Sequence, residues 1–247
     1  MRKMKNKKLK ATLSITGYFL LLIAICFVGA LVFHSYYYES VYISGASMSP
    51  TLTGDDHEAE GSLVDFGIVD AHKASINHIK RFDIISTYYP EDYSDSGVLA
   101  FNARKKIKRV IALPGETFTI KNGLLNVKEG EEFVEVPYKF KVALTNYKDT
   151  SEPITLKEKE YWVLGDNRTT ATASKDCATF NKPIKKEYIA GVLVAIEGQA
   201  NLKIKNYHCD YCGKNYSKKP GVCSCGNTSF SPQYKLINKK YHWPKFF

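Results

Sequence analysis

Acidic residues are absent from the first ten positions, and charged residues of either sign are absent from the 23 positions that follow, residues 11–33. The first ten residues carry six basic side chains. At a rise of about 1.5 Å per residue, the uncharged run is long enough to span a hydrocarbon core of about 30 Å. A basic flank lies on the cytoplasmic side of such a helix. The pattern predicts a basic cytoplasmic tail over residues 1–10, a transmembrane anchor over 11–33 and an extracytoplasmic remainder.

Three other interpretations fit the uncharged run less well. A cleaved signal peptide has a shorter apolar core, about 7–15 residues. A lipoprotein site needs a small residue before the modified cysteine, whereas Ile25 precedes Cys26. A helix buried in a soluble core normally keeps a polar face, and this run has little of one. Tyrosines follow directly in HSYYYESVYI, as they do where helices leave a bilayer. We therefore expect a single-pass protein of the cell membrane that contacts lipid.

Beyond the anchor, the sequence lacks a strongly basic stripe, a long segment of helical periodicity and an internal repeat. Six units of the net charge of +10 come from the first ten residues, which argues against a nucleic-acid partner. Short runs rich in Val, Ile, Tyr and Phe, bounded by turn residues, are typical of strands, and KNG at residues 121–123 indicates a hairpin. We predict a mostly β, antiparallel catalytic domain over residues 34–204, with surface insertions near 55–62, 90–98 and 128–156.

A candidate nucleophile lies in SGASMSPTL, residues 44–52, at Ser47. A serine hydroxyl needs a base within hydrogen-bond reach, and none of the six histidines lies in a motif typical of that partner. Lysine can serve if burial lowers its pKa. If KRVIA begins a strand, alternation places Lys108 on the same face as Val110, toward an apolar site. A simple turn at Ser47 and an exposed lysine at Lys108 are the alternatives that spacing alone leaves open.

Four segments occur in the order of the sequence boxes of bacterial type I signal peptidases, the leader peptidase family, which they resemble. They are SGASMSPTL, IKRFDIISTYYP, IKRVIALPGETFTIKNGLL and YWVLGDN, with Phe82 and Ala112 in glycine places. The resemblance implies a membrane-anchored serine endopeptidase of mostly β fold. Such an enzyme removes signal peptides from exported precursors after small residues, in sites of the Ala-x-Ala type, without a catalytic cofactor. The resemblance also implies Ser47 as nucleophile and Lys108 as its neutral general base.

Supporting roles around this pair follow from the same resemblance. Met48 would help to form the surface that faces substrate and membrane. The backbone N–H of Ser47 would be one donor of the oxyanion hole. Gly45 stands where some relatives add a serine hydroxyl to that hole, so a side-chain donor is missing there.

The last box departs from the family pattern. A three-residue insertion brings SKDCATF into register, so that Ser174 would hydrogen-bond the lysine amine and Asp176 would hold the site through a salt bridge. Ala178 then occupies the place of the arginine that normally pairs with this aspartate, and Arg168 is a candidate substitute. A polar loop without a catalytic role is the alternative for this stretch.

Residues 207–230 contain two cysteine pairs, each followed by glycine: Cys209 with Cys212, and Cys223 with Cys225. Such knuckles turn the backbone around a tetrahedral zinc ion, so residues 205–247 resemble a zinc ribbon with a structural role. An extracytoplasmic location would also suit two disulfides. The closing segment KLINKKYHWPKFF is basic and aromatic, typical either of contact with a membrane interface or of a flexible terminus.

Two further functions are compatible with these features. The added ribbon and the altered last box would suit a specialised relative that processes a narrow set of substrates. A non-catalytic, membrane-tethered binding module could use the ribbon for recognition, although the presence of both Ser47 and Lys108 argues against it. We predict the signal-peptide-removing enzyme, with signal-peptide-bearing precursors as its partners.

Overall fold

The computed structural model describes residues 2–54, 63–75, 78–89, 103–137, 150, 152–168 and 174–242. Two of the predicted insertions, 55–62 and 90–98, lie outside the described residues. The chain divides into two compact units, residues 1–39 and residues 40–247. The first unit is helical, and the second consists mostly of strands, as the sequence predicts.

Helix α1 runs from Arg2 to Tyr37. Its segment from Thr16 to His34 has a mean hydropathy of 2.5 and is long enough to cross a membrane. Large apolar side chains along this segment are more than half exposed on every side of the helix, from Tyr18 to Phe33. Because water disfavours such a surface, the helix fits the predicted anchor.

Thirteen strands are present among the described residues. Seven of them lie side by side in the main sheet in the order β1-β2-β11-β3-β4-β9-β10. Each pairing from β2 to β10 along this order is antiparallel. The strands of this path are β1 (Tyr38–Tyr42), β2 (Leu63–Asp70), β3 (Ile84–Thr87), β4 (Lys106–Ala112), β9 (Glu160–Leu164), β10 (Ile184–Lys185) and β11 (Ile189–Cys209). Short helices follow two of them, α2 (Ala71–Ser75) after β2 and α3 (Cys177–Phe180) in the connection between β9 and β10.

A second, four-stranded sheet has the order β7-β6-β5-β8. Its strands are β5 (Thr117–Lys121), β6 (Leu124–Glu129), β7 (Glu132–Glu135) and β8 (Ile154–Thr155). The predicted hairpin is confirmed, because β5 and β6 pair antiparallel around Asn122 and Gly123. The region 128–156 was predicted as a surface insertion, yet its described part contributes β7 and β8 to this sheet.

Among the described residues, the two larger of three clusters of buried side chains form the core. The larger one contains residues of both sheets, including Phe118 from β5 and Trp162 from β9, whose ring centroids are 5.5 Å apart. The smaller one contains Met48 and Leu52 together with side chains of β2, β3 and β11. The smaller cluster therefore fixes the segment around residue 48 against the main sheet.

Strand β11 continues beyond its described partner β2, which ends its pairing at Asn201. From there β11 runs to Cys209 and pairs with β12 (Asn215–Tyr216) and β13 (Phe230–His242). Eight residues of strand extend this hairpin by about 25 Å. A flexible terminus, one of the two alternatives for the closing segment, does not fit the structure as far as His242, because β13 pairs with β11 back to Ile196. A domain boundary at residue 204 stays a prediction, and β11 passes through that position without interruption.

Candidate active site

Ser47 lies in a 3₁₀ turn that spans Ala46–Met48. Gly45 precedes the turn with a φ of 78°, a conformation that glycine adopts without a Cβ clash. Met48 follows Ser47 and is fully buried in the smaller core cluster. The prediction that Met48 faces substrate and membrane therefore differs from the structure. Its side chain packs inward because the turn needs an apolar anchor, and that anchor leaves Ser47 partly exposed.

Lys108 projects from β4, opposite Ile85 of β3, and is only 4% exposed. Its Nζ lies 2.8 Å from the Oγ of Ser47 and donates to the carbonyl oxygen of Ile107 at 2.9 Å. Burial lowers the pKa of Lys108 from its ordinary 10.5 to about 8. An amine with such a pKa loses its proton far more readily near neutral pH than an exposed lysine does.

Four charged groups modify the effect of burial on the pKa of Lys108. The carboxylates of Asp176 and Asp166 raise this pKa, because each favours a nearby ammonium. The cations of Lys106 and Arg168 lower it. The balance of these charges with burial keeps the amine close to the point at which it can accept and return a proton.

Arg109, the next residue of β4, forms a buried ion pair with Asp166. Its Nε donates to Oδ1 at 2.8 Å and its Nη2 donates to Oδ2 at 2.5 Å, and neither side chain is more than 4% exposed. Its Nη1 donates to the carbonyl oxygen of Phe82, which has a φ of 70° in a glycine place of the family pattern. The pair fastens β4 to the segment that follows β9.

That segment, Gly165 to Arg168, contacts the serine turn directly. Asn167 donates from its backbone N–H to the carbonyl oxygen of Ser47 and from Nδ2 to that of Ala46, both at 3.0 Å. A Cβ on Gly165 would lie 2.5 Å from the carbonyl oxygen of Ser47, so a larger residue would collide with the turn. The segment and the turn therefore pack at backbone distance.

Asp176 caps helix α3 and is fully buried. Its Oδ2 accepts from Nη1 of Arg168 at 2.6 Å and from the backbone N–H of Gly165 at 3.0 Å, while Oδ1 accepts from the backbone N–H of Ala178 at 3.1 Å. Arg168 thus provides the cation that is missing at position 178. The sequence could name Arg168 only as a candidate for this pairing.

Ser174 lies beside the site but not on the lysine. It is 3% exposed, and within the described part of the chain its Oγ has no hydrogen-bond partner. The Nζ of Lys108 instead contacts Ser47 and Ile107, so the expected bond from Ser174 to the amine is not observed. Ser174 packs over Gly165, where an added Cβ would lie 2.2 Å from its Oγ.

A family model described as "Signal peptidase, peptidase S26" matches residues 15–196. The chain belongs to this family. It is 33% identical to "Signal peptidase I" of Bacillus caldolyticus over 165 residues, which is 62% of this chain and 76% of the relative. It is 26% identical to "Signal peptidase I P" of Bacillus subtilis subsp. natto over 164 residues, 62% and 75% of the two chains. It is 28% identical to "Signal peptidase I U" of Bacillus subtilis (strain 168) over 162 residues, 64% and 76%.

Membership of the peptidase S26 family confirms the predicted class, a serine endopeptidase of bacterial type I signal peptidase kind that needs no catalytic cofactor. Sequence reasoning missed two parts of this site. One is the Arg109–Asp166 pair, and the other is the double contact of Asn167 with the serine turn. Both lie within segments that carry the family resemblance, yet neither contact has a local signal, because each joins distant parts of the chain.

The family match ends before the cysteine cluster, which lies at the far end of the β11/β13 hairpin. The four sulfurs lie within 4.8 Å of one another, with Cys209 and Cys225 at 3.6 Å and Cys212 and Cys223 at 3.5 Å. A disulfide would need about 2.05 Å, whereas thiolates about 2.3 Å from one zinc ion are separated by about 3.8 Å. The donor set therefore fits a tetrahedral metal.

Hydrogen bonds around the sulfurs favour the thiolate form of Cys209 and Cys223, whereas the neighbouring sulfur of Cys223 raises the pKa of Cys225 to about 12. Backbone N–H groups of the knuckles, with Nδ2 of Asn227 at 3.4 Å, hold the pKa of Cys209 below its usual value. The backbone of Cys225 and the hydroxyl of Tyr216 lower the pKa of Cys223 to about 5. Such donors also support the sulfur ligands of structural zinc sites.

Proposed function

We propose that this chain is a membrane-anchored signal peptidase in which Ser47 is the nucleophile and Lys108 the neutral general base. One observation carries the proposal. The Oγ of Ser47 lies 2.8 Å from the amine of a lysine that is 4% exposed. This is the distance over which a proton passes from a hydroxyl to a base.

In the proposed reaction, the Oγ of Ser47 attacks the scissile carbonyl carbon while its proton passes to the Nζ of Lys108. The carbonyl oxygen becomes an oxyanion, which the backbone N–H of Ser47, in its 3₁₀ turn, would stabilise. The lysine then returns the proton to the leaving amine, and an acyl-enzyme forms. Water, deprotonated by the same amine, attacks the ester; the bond to Oγ breaks, the proton passes from Nζ to Oγ, and the acid is released with Ser47 and neutral Lys108 restored. Gly45 adds no side-chain donor, so backbone groups supply the oxyanion contacts.

The proposed substrates are exported precursors that carry a signal peptide, cut after small residues in sites of the Ala-x-Ala type. The names of the relatives and the family match support this substrate class. An extended precursor segment would bind by pairing with a strand of the enzyme, which presents the scissile carbonyl to Ser47. Asp176 and Ser174 are proposed to support the site from beneath the turn, and Met48 to anchor it.

We further propose that α1 crosses the cell membrane once, with the N-terminus in the cytoplasm and the strands outside. The support is the apolar segment from Thr16 to His34 and the six basic residues before it. Contact with lipid follows from the same helix. Retention of the full chain in membranes after alkaline extraction, with release of a chain that lacks residues 2–37, tests the anchor.

Cys209, Cys212, Cys223 and Cys225 are proposed to hold one structural zinc ion. When bound, the ion would cross-link the two knuckles and would have no open position for water, because four thiolates complete its shell. It has no step in the proposed peptide hydrolysis.

The decisive experiment is cleavage of a precursor with an Ala-x-Ala site by detergent-solubilised full-length protein. Ser47→Ala and Lys108→Ala should abolish cleavage. Ser49→Ala and Lys121→Ala are matched controls, because they remove a hydroxyl and an ammonium from positions outside the proposed pair and should retain cleavage. Full cleavage by Lys108→Ala at neutral pH would refute the assigned base. A wild-type protein that does not cleave this precursor but cleaves others would indicate the specialised relative that the altered last box suggested.

A further inference from the structure

The loop from Gly165 to Arg168, here called the clasp, joins the serine turn to a buried carboxylate. On one side Asn167 holds two consecutive carbonyl oxygens of the turn, those of Ala46 and Ser47. Fixing both carbonyls fixes the peptide planes on either side of the Ser47 Cα atom. The direction in which its Oγ points toward Lys108 is therefore set partly by the clasp.

On its other side the clasp is held by Asp176. One carboxylate oxygen accepts from Gly165 at the start of the clasp and from Arg168 at its end. Both ends of the loop are thus fastened to a single buried group, while Asn167 between them reaches the serine turn. A shift of Asp176 or of Arg168 would be transmitted to Ser47 through this short segment.

Arg168, which holds one end of the clasp, also affects the charges around Lys108. Asp176 is fully buried, and a buried carboxylate without a partner is strongly unfavourable. Ala178 has no charge to offer, and Arg168 is the cation that contacts the carboxylate, with its side chain 10% exposed. The pair also acts on the pKa of Lys108. Asp176 and Asp166 raise this pKa, and Lys106 and Arg168 lower it.

We propose that Arg168 and Asn167 are positioning residues for the serine–lysine reaction, with Arg168 neutralising Asp176 and Asn167 aiming Ser47. The inference rests on the proposed roles of Ser47 and Lys108. Arg168 thereby takes over, from within the clasp itself, a charge that the family pattern places after the aspartate. The clasp couples the position of the nucleophile to the charge beside its base.

The electrostatic part of the proposal has a definite sign. Loss of the Arg168 cation removes a positive charge near Lys108 and leaves the negative charge of Asp176 unpaired. Both changes favour the ammonium, so the pKa of Lys108 rises and the neutral base becomes scarcer at a given pH. The acid limb of the activity profile should then move to higher pH. Loss of Asp176 has the opposite sign.

The test is the pH profile of kcat/KM for precursor cleavage by the full chain in detergent. Arg168→Gln should move the acid limb up by about one pH unit, and Arg168→Lys should keep it near the wild-type position. Arg168→Gln combined with Asp176→Asn should bring the limb back toward wild type. Arg104→Gln removes the same charge from an exposed site four residues before Lys108 and should change nothing.

Asn167→Ala tests the positioning step without touching the ion pair. It should lower kcat by about tenfold to a hundredfold with little change in KM, because the substitution misplaces the attacking atom and leaves the substrate contacts intact. Thermal unfolding should show that the variant is folded. If Arg168→Gln does not fold, Arg168→Lys and Asn167→Ala still decide the question. An acid limb at the wild-type position in Arg168→Lys and a lower kcat in Asn167→Ala would support the proposed role of the clasp.

Two results would overturn the inference. One is an unchanged acid limb in folded Arg168→Gln, and the other is a wild-type kcat in Asn167→Ala. If Ser47→Ala and Lys108→Ala are inactive in the same assays, the proposed function stands and only the clasp fails. If Lys108→Ala retains activity, the proposed function fails first, and the clasp fails with it.

Discussion

The buried amine of Lys108 makes a quantitative prediction for the pH dependence of cleavage. With a pKa of about 8, the neutral form is about a tenth of the enzyme at pH 7, about half at pH 8 and about nine tenths at pH 9. If the neutral amine is the base, kcat/KM should rise about tenfold from pH 7 to pH 9. Below pH 7 it should fall about tenfold with each unit.

The assay is initial-rate cleavage of an Ala-x-Ala precursor peptide from pH 6 to pH 10, at substrate concentrations well below KM. Intrinsic fluorescence of the two tryptophans would show that the fold persists at each pH. A single limb near pH 8 is expected. A limb near 6.5, the range of an unperturbed histidine, or a limb near 10.4, that of an exposed lysine, would refute the reasoning.

Three further predictions test other parts of the structure. The pKa of Lys108 falls from 10.5 to about 8 on folding, so the buried ammonium destabilises the fold below pH 8. Lys108→Met should therefore raise the free energy of unfolding, measured by denaturant titration, by about 3 kcal/mol below pH 8. This gain should fade as the pH rises toward 10.5. Gly165→Ala should lower kcat at least tenfold because its Cβ would lie 2.2 Å from Ser174 Oγ and 2.5 Å from the Ser47 carbonyl oxygen, whereas Gly221→Ala, with nothing within 4 Å, should not. Elemental analysis should find one zinc per chain, and chelation should expose residues 206–230 to proteolysis; a metal-free chain with the same resistance would contradict the zinc proposal.

Ser47 and Lys108 were predicted from the resemblance of four short segments to a family, because spacing alone left a simple turn and an exposed lysine open; the local patterns were only compatible with the assignment. Ser47 stands in a turn with small neighbours, Lys108 alternates with an apolar residue along a strand, and residues 121–123 contain a hairpin turn. Each of these patterns is complete within about ten residues. In the structure the serine turn is anchored by Met48 in the core and held by Asn167, which brings Ser47 to Lys108 through contacts that no local pattern in the sequence shows.

The parts that could not be predicted depend on long-range pairing. Asn167 reaches the serine turn across 121 residues, and only the packing of the clasp on that turn reveals the contact. The family resemblance implied that Met48 faces substrate and membrane, while in the structure its side chain is buried in the core beneath the turn. The sequence left residues 235–247 as a membrane-contacting or flexible segment, because the ladder that pairs β13 with β11 joins separate parts of the chain and has no local signal.

The long pairing of β13 with β11 has a consequence for how this chain behaves when it is shortened. β13 covers the backbone of β11 from Ile196 to Cys209. A chain cut at residue 229 would leave the N–H and C=O groups along this edge without their partners. Bare strand edges of that length pair readily with other chains, which leads to aggregation. We therefore expect a chain that ends at residue 229 to aggregate more readily than the full chain.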